Sequence, residues 1–226
     1  MFKAVLLDMN GTFMFGEDRF GPAEDFSICY RETAGRMNAA EVNQIIRKAH
    51  EWLDRLYPDP EHRDTFPSLE DAIQKVSPKI NENEIQNLVD TFTHHELGKI
   101  PTDYAEAIIA LSQYYRLGVV IDIWSPKHRW LDEFGRAGIR ECFTVISFSS
   151  DIGIVKPSPK PFLAVLEDLG VPISKSVVIG DSVRRDLGGA TAAGIPCILV
   201  GGANDARAFG AFESLLDIVR SQDLGR

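Results

Sequence analysis

Several polar residues in this chain stand just beyond short apolar runs, where a charge is out of keeping with its surroundings. Asp8 follows Ala4 to Leu7, and Ser125 follows Val119 to Trp124. Lys156 lies beyond Phe143 to Phe148, and Asp181 follows Ser176 to Gly180 with Asp186 close behind. Each alone has a plain reading: an aspartate after a strand is usually a helix cap, and a lysine before a proline is usually surface. On successive strands of a parallel sheet, however, they converge at the carboxyl edge, where ligands collect. Three carboxylates gathered there repel one another, and a bound divalent cation relieves that repulsion. Asp8, Asp181 and Asp186 offer the hard oxygens that suit Mg2+. A cation and a lysine beside a carboxylate keep it ionised and nucleophilic. Such a site is suited to a phosphoryl group in line with Asp8. Gly11 and Thr12 are expected to supply backbone N–H donors from a tight turn, Ser125 a hydroxyl, and Lys156 a charge for the transferring oxygens.

The elements that must position these groups can be read from periodicity. Ala4 to Leu7 predicts a buried strand with Asp8 at its carboxyl end. Residues 16–100 show helical spacing only. Asn38, with Glu41 three residues on, predicts a capping box. Behind it Val42, Ile45, Ile46, Ala49, Trp52, Leu53 and Leu56 recur along one helix face, a core stripe that stops near Pro58 and Pro60. Further helices are expected after Ser68 and after Asn81, the second carrying Ile85, Leu88, Val89 and Phe92. From Thr102 onward strand and helix alternate. A helix leads to Gly118; strands are expected over Val119 to Trp124, Phe143 to Phe148, Ser176 to Gly180 and Pro196 to Val200. Helices are expected over 127–137, 159–169 and 184–193 and near 211–220. The alternation predicts an α/β fold, a doubly wound parallel sheet. Residues 1–15 and 101–226 form its core, and 16–100 form an all-helical domain inserted after the first strand. Asp122 falls inside the second expected strand, where an acid buried on both faces needs a partner. His94 and His95 read as structural.

Composition narrows the functions. Of 226 residues, 44% are hydrophobic and 25% charged, which excludes a disordered, collagen-like or disulfide-stapled chain. The net charge of −9 argues against general nucleic-acid binding and against docking on anionic lipid. The acidity is uneven. Residues 16–100 hold 17 acids and 10 bases, the remainder 16 acids and 14 bases. A small phosphorylated metabolite is therefore still admitted by the core, where Lys127, Arg129, Lys156, Lys160, Arg184 and Arg185 lie in or beside the site segments. Cys29, Cys142 and Cys197 are widely spaced and odd in number, which points to reduced thiols and the cytoplasm. The apolar run near Met1 is too short for a signal peptide or a membrane span.

Asp8-Met-Asn-Gly-Thr12, Ser125, Lys156-Pro-Ser-Pro-Lys-Pro-Phe162 and Gly180-Asp-Ser-Val-Arg-Arg-Asp186, followed by Gly188-Gly-Ala-Thr-Ala-Ala-Gly194, resemble the motifs of the haloacid dehalogenase (HAD) superfamily. The resemblance spans the whole chain and implies a Rossmann-like core with an inserted helical cap. Most members are Mg2+-dependent phosphatases that pass through a phosphoaspartate. By that resemblance Asp8 is nucleophile and metal ligand, the Asn10 carbonyl and Asp181 are further ligands, and Asp186 lies near the metal waters and Lys156. Ser125 and Lys156 would hold the phosphoryl oxygens. Two departures weaken phosphoryl transfer. Phosphatases of the family usually carry an aspartate at Asn10, which protonates the leaving group; an amide has no proton to shuttle, and such catalysis is worth about 10²–10⁴-fold. Pro126 lacks the backbone N–H that normally follows the motif serine. His128 and Asp18 are candidate substitute acids, against the plainer readings of a solvated helix face and a loop acid. Two other functions compete: a non-catalytic phosphate- or protein-binding module, and a metal-free dehalogenase. The last is disfavoured by Gly180-Asp181-Ser182 and by Asn10 in place of a bulky aromatic.

Overall fold

The computed structural model describes residues 1–221. β1 (Ala4–Leu7) is buried along its whole length. Its side chains alternate between two cores, as strand geometry requires. Ala4 and Leu6 pack with Phe162, Val165 and Leu187 on one face, and Val5 and Leu7 with Phe13, Trp130 and Phe134 on the other. A strand apolar on both faces belongs at the centre of a sheet covered on both sides.

Between β1 and the next strand the chain is helical: α1 (Ser27–Tyr30), α2 (Ala39–Leu56), α3 (Leu69–Val76) and α4 (Glu82–Glu96). The three longer helices start where side-chain caps are available. Asn38 accepts from the Glu41 N–H at 3.0 Å, and Asn81 accepts from the Glu84 N–H at 3.0 Å. Ser68 and Asp71 form a reciprocal capping box. At the first of these the box is incomplete, since Glu41 meets the Asn38 amide rather than its backbone N–H. The helices bury a cluster of their own, built on Phe26, Tyr30, Leu53, Leu69 and Phe92. Trp52 flanks that cluster, with the Lys75 ammonium 5.3 Å from its ring centroid. His95 is buried against Phe26, ring edge to ring face, in keeping with a structural role. Phe15 and Lys99 exchange two backbone hydrogen bonds, at 3.0 and 2.9 Å, where the chain leaves the core and returns.

The remaining elements alternate: α5 (Thr102–Ser112), β2 (Arg116–Ile121), α6 (His128–Arg136), β3 (Phe143–Phe148), α7 (Ser149–Ile152), α8 (Lys160–Leu169), β4 (Ser176–Gly180), a π-helical turn (Val183–Leu187), α9 (Gly188–Ala193), β5 (Cys197–Leu199), β6 (Gly210–Ala211) and α10 (Leu215–Ser221). Six parallel strands form one doubly wound sheet in the order β3-β2-β1-β4-β5-β6. β6 is two residues long, too short to leave a periodic signal. Among the described residues no helix is long and apolar enough to cross a membrane.

The second strand differs from the expectation of Val119 to Trp124. It begins three residues earlier and ends at Ile121, so Asp122 lies beyond it. Pairing with β3 stops at Ile121 opposite Phe148, and at the other end Gly118, placed before the strand by its sequence, sits inside it: a Cβ there would meet Val165 Cγ1 at 2.5 Å. Its hydrogen side chain lets α8 lie close on the sheet. Gly118→Ala should therefore lower stability by about 1–3 kcal/mol through overpacking, measured by urea unfolding; an unchanged midpoint would show that α8 simply shifts.

Candidate active site

The order of strands reverses at β1: the chain runs outward to β2 and β3, then returns to β4 on the other side. A crevice opens at the carboxyl ends of strands at such a point. Asp8 follows β1 there, and its N–H donates to Ile179 of β4 at 2.8 Å. The Lys156 ammonium, on the segment between α7 and α8, donates to Asp8 Oδ1 and, at 2.8 Å, to Asp186 Oδ1. All three groups are buried, Lys156 to 1% and Asp186 to 0% exposure. Asp8 Oδ2 accepts from the Thr12 hydroxyl at 3.2 Å.

Oxygens of Asp8, Asp181 and Asp186 lie within 4.8 Å of one another. Hard carboxylate oxygens at this separation fit Mg2+. The three are not equivalent, however. Asp186 is fully engaged, with Oδ1 on Lys156 and Oδ2 accepting from the Ser182 N–H at 3.0 Å. Asp181 is half-buried, with the Arg185 guanidinium 3.5 Å away. Two glycines make the crowding possible. A Cβ at Gly11 (φ +71°) would fall 2.3 Å from Asp181 Oδ2, and one at Gly180 would fall 2.4 Å from Asp186 Cγ.

The electrostatics follow from burial. Desolvation and the neighbouring Asp186 charge push the Asp8 carboxyl up to about 7, against the pull of Lys156. Burial also raises the Asp181 carboxyl. For Lys156 burial works against the charge, but Asp186 and Asp8 outweigh it and hold the ammonium well above its usual range.

Two expected donors are used elsewhere. The Gly11 N–H donates to Met14 O at 3.0 Å and the Thr12 N–H to Met9 O at 3.1 Å, so both close the turn instead of facing a ligand. Gly11 contributes space, and Thr12 its hydroxyl. Ser125 is fully buried, but its hydroxyl bonds neither Asp8 nor Lys156. Its N–H and that of Trp124 instead donate to the two oxygens of Glu96, at 3.0 and 2.6 Å. His128 begins α6 at the surface, and the neighbouring Lys127 pairs with Asp151 at 2.6 Å, so the solvated face is the right reading there.

Asp122 resolves its own anomaly. It accepts the Lys156 N–H at 3.0 Å and the Tyr57 hydroxyl at 2.5 Å. A cavity of about 380 Å³ opens beside it, lined by Tyr57, Glu96, Trp124 and Arg185, and by Asn10 and Asp18. Tyr57 and Glu96 escape sequence reading because they lie outside the strand-end pattern, whereas Arg185 falls within the Gly180–Asp186 motif. Glu96 leaves one trace: an acid in the last turn of a helix opposes the helix dipole, which favours a base there. Burial pushes its carboxyl up to about 7, and its two backbone donors only partly offset that.

A family model described as haloacid dehalogenase-like hydrolase matches residues 41–200. The chain is 32% identical over 101 residues to a glyceraldehyde 3-phosphate phosphatase of Methanopyrus kandleri. That match covers 43% of this chain and 42% of the relative, so it spans less than half the length of the curated protein. Among solved structures, a HAD phosphatase from Thermococcus onnurineus superposes with a TM-score of 0.65 at 20% identity, covering 98% of both chains. A 2-haloacid dehalogenase from Pseudomonas syringae gives 0.63 at 22% identity, covering 98% of this chain and 99% of the other. These likenesses show the fold, which phosphatase and dehalogenase share.

Two measurements test the site as a physical object. Lys156→Ala strands two buried carboxylates, and should cost about 3–5 kcal/mol in urea unfolding; a loss below about 1 kcal/mol would mean the pair relaxes into solvent. Glu96 holds its proton more tightly when folded than its ordinary value of 4.5 allows. Its contribution to stability is complete below 4.5 and is lost as pH rises to about 7. Glu96→Gln should flatten the decline in stability across that window; parallel curves for the two proteins would contradict this assignment.

Proposed function

This chain belongs to the haloacid dehalogenase-like hydrolase family, and on that footing we propose that it is a Mg2+-dependent phosphatase of small phosphomonoesters, acting through a phosphoaspartate at Asp8. The carrying observation is the buried arrangement of Lys156 between Asp8 and Asp186, with Asp181 at the same sheet edge. Three carboxylates against the Lys156 ammonium and the Arg185 guanidinium still leave a net negative site. That charge balance calls for a cation and suits phosphoryl transfer better than metal-free carbon–halogen cleavage. The phosphatase named among the relatives supports the same choice.

In this reading Asp8 and Asp181, with the Asn10 carbonyl, hold Mg2+, which when bound neutralises charge on the phosphoryl oxygens. Asp186 keeps Lys156 charged and in place. Lys156 holds Asp8 as the carboxylate that attacks phosphorus, and meets a phosphoryl oxygen once Asp8 turns toward substrate. The Ser125 hydroxyl, buried and without a partner among the described residues, is free to donate to another. Gly11 and Thr12 shape the turn around the nucleophile. We assign 1–15 and 101–226 to the core and 16–100 to a cap. The cap contributes Tyr57 and Glu96 to the cavity, which is where a small metabolite's leaving group would lie. Three unpaired cysteines fit a reducing, cytoplasmic setting.

The test is release of inorganic phosphate from a panel of sugar, amino-acid and aryl phosphomonoesters. Turnover should require Mg2+, stop with EDTA, and vanish in Asp8→Asn. A well-folded wild-type protein that is inert across the panel with Mg2+ present removes this reading in favour of a binding module.

A further inference from the structure

Asn10 leaves the proposed reaction without its usual proton donor, and the cavity contains a replacement. We propose that Asp18 is the general acid, protonating the leaving-group oxygen. This rests on the phosphatase reading above.

Three observations carry it. First, Asp18 lines the same cavity as Asn10, whose side-chain oxygen is buried and has no hydrogen-bond partner among the described residues. Second, the loop that carries Asp18 is fixed. Asp18 has a left-handed backbone (φ +55°), and its carbonyl accepts the Phe20 N–H at 2.9 Å. The next residue bolts the loop to the end of α4: the Arg19 N–H donates to His95 O at 2.9 Å, and its guanidinium donates to Gly16 O at 3.0 Å, Leu97 O at 3.2 Å and His94 O. A cation satisfying carbonyls at a helix C-terminus is a stable anchor. The anchor restrains Asp18 at the cavity. Third, the Asp18 carboxylate has no hydrogen-bond or ion-pair partner among the described residues, and it reaches solvent, as a proton donor must. Of the other acids that line the cavity, Glu96 is committed to two backbone N–H groups and Asp122 to Tyr57 and the Lys156 N–H, while Asp54 lies on α2 and not on the anchored loop that follows Asn10.

The groups facing Asp18 are Glu17 on its own loop, Asp54 at the end of α2, Arg185 after β4 and Glu96 on α4. His50 lines the same cavity. Enclosure and the charges of Glu17 and Asp54 push the Asp18 carboxyl up to about 6, opposed by Arg185, so a protonated fraction is present near neutrality.

The chemistry balances as follows. An Asp8 oxygen bonds to phosphorus while the bond from phosphorus to the ester oxygen breaks. That oxygen keeps the electron pair and takes the proton from the Asp18 carboxyl, leaving as a neutral alcohol. Asp18, now a carboxylate, removes a proton from water, whose oxygen attacks phosphorus. The Asp8–phosphorus bond breaks, giving inorganic phosphate and restoring both groups.

Protonation matters only when the leaving group is basic. Asp18→Asn should lower kcat/KM for alkyl phosphomonoesters about 100-fold or more, and for p-nitrophenyl phosphate less than about tenfold. Asparagine tolerates the left-handed backbone, so the fold should persist. The wild-type alkyl rate should fall as pH rises above about 6, a limb absent in Asp18→Asn. Adding Asn10→Asp to the Asp18→Asn chain should restore the alkyl rate. Equal losses on both substrates, or no loss on either, would overturn the assignment while leaving the phosphatase reading intact. A wild type inert on both substrates with Mg2+ takes down the reading itself, and this inference with it.

Discussion

Everything at the sheet's carboxyl edge depends on one buried ammonium. Lys156 joins the end of β1, through Asp8, to the turn after β4, through Asp186. Burying an ion costs several kcal/mol, and a buried pair repays this only when its remaining hydrogen-bonding capacity is filled. Here it largely is. Asp8 also accepts from Thr12, and Asp186 also accepts from the Ser182 N–H. Without the ammonium two like charges would face each other in a desolvated site. With it, paired carboxylates are compatible with a dry interior.

The ammonium is positioned in turn by groups far away in sequence. Asp122 fixes the Lys156 backbone and is itself capped by Tyr57, from the end of α2. Nearby, Asp64 pairs with Lys160 at 2.7 Å and accepts from Ser158 at 2.6 Å, while the Val155 N–H donates to Arg63 O at 2.9 Å. Residues 57–66 thus grip the segment on which Lys156 lies. Glu96 makes a second attachment, holding the N–H groups of Trp124 and Ser125. A movement of the helical segment would therefore be felt at Lys156 and Ser125 through hydrogen bonds rather than through packing alone. In a site whose rate depends on geometry at the ångström level, that is a route by which closure over a substrate could complete the chemistry.

Much of this was legible in the sequence because it follows from local rules. Strand ends and helix caps declare themselves through short apolar runs and through Asn, Ser and Asp at first turns. Asp8, Lys156 and Asp186 meet as their spacing predicts. What was hidden depends on tertiary contact. Gly118 precedes the expected strand, yet it lies inside β2 under the close approach of α8, and β2 ends at Ile121 where its pairing with β3 stops, which leaves Asp122 beyond the strand. The N–H groups of Gly11 and Thr12 look free until the Met9–Met14 turn consumes them. Tyr57 and Glu96 reach the cavity from helices whose sequence periodicity reports only their own buried faces.

The proton and the cation compete for the same charge. Asp8, Asp181 and Asp186 are held together with one ammonium, and burial raises the Asp8 carboxyl to about 7. Lys156 and the Arg185 guanidinium, 3.5 Å from Asp181, set two positive charges against three carboxylates, which leaves the cluster one charge short. In the proposed function a divalent cation would supply the missing charge, and a carboxylate that ligates it must be ionised. On the proposed reading, the desolvation that raises the Asp8 carboxyl would couple its ionisation to metal occupancy. Asp18 stands apart from this competition, at the open side of the cavity among Glu17, Asp54 and Arg185. On the proposed reading Asp8 would lose its proton to a cation and Asp18 would keep one for a leaving group; desolvation leads in both, joined by Asp186 against Lys156 in the first case and by Glu17 and Asp54 against Arg185 in the second.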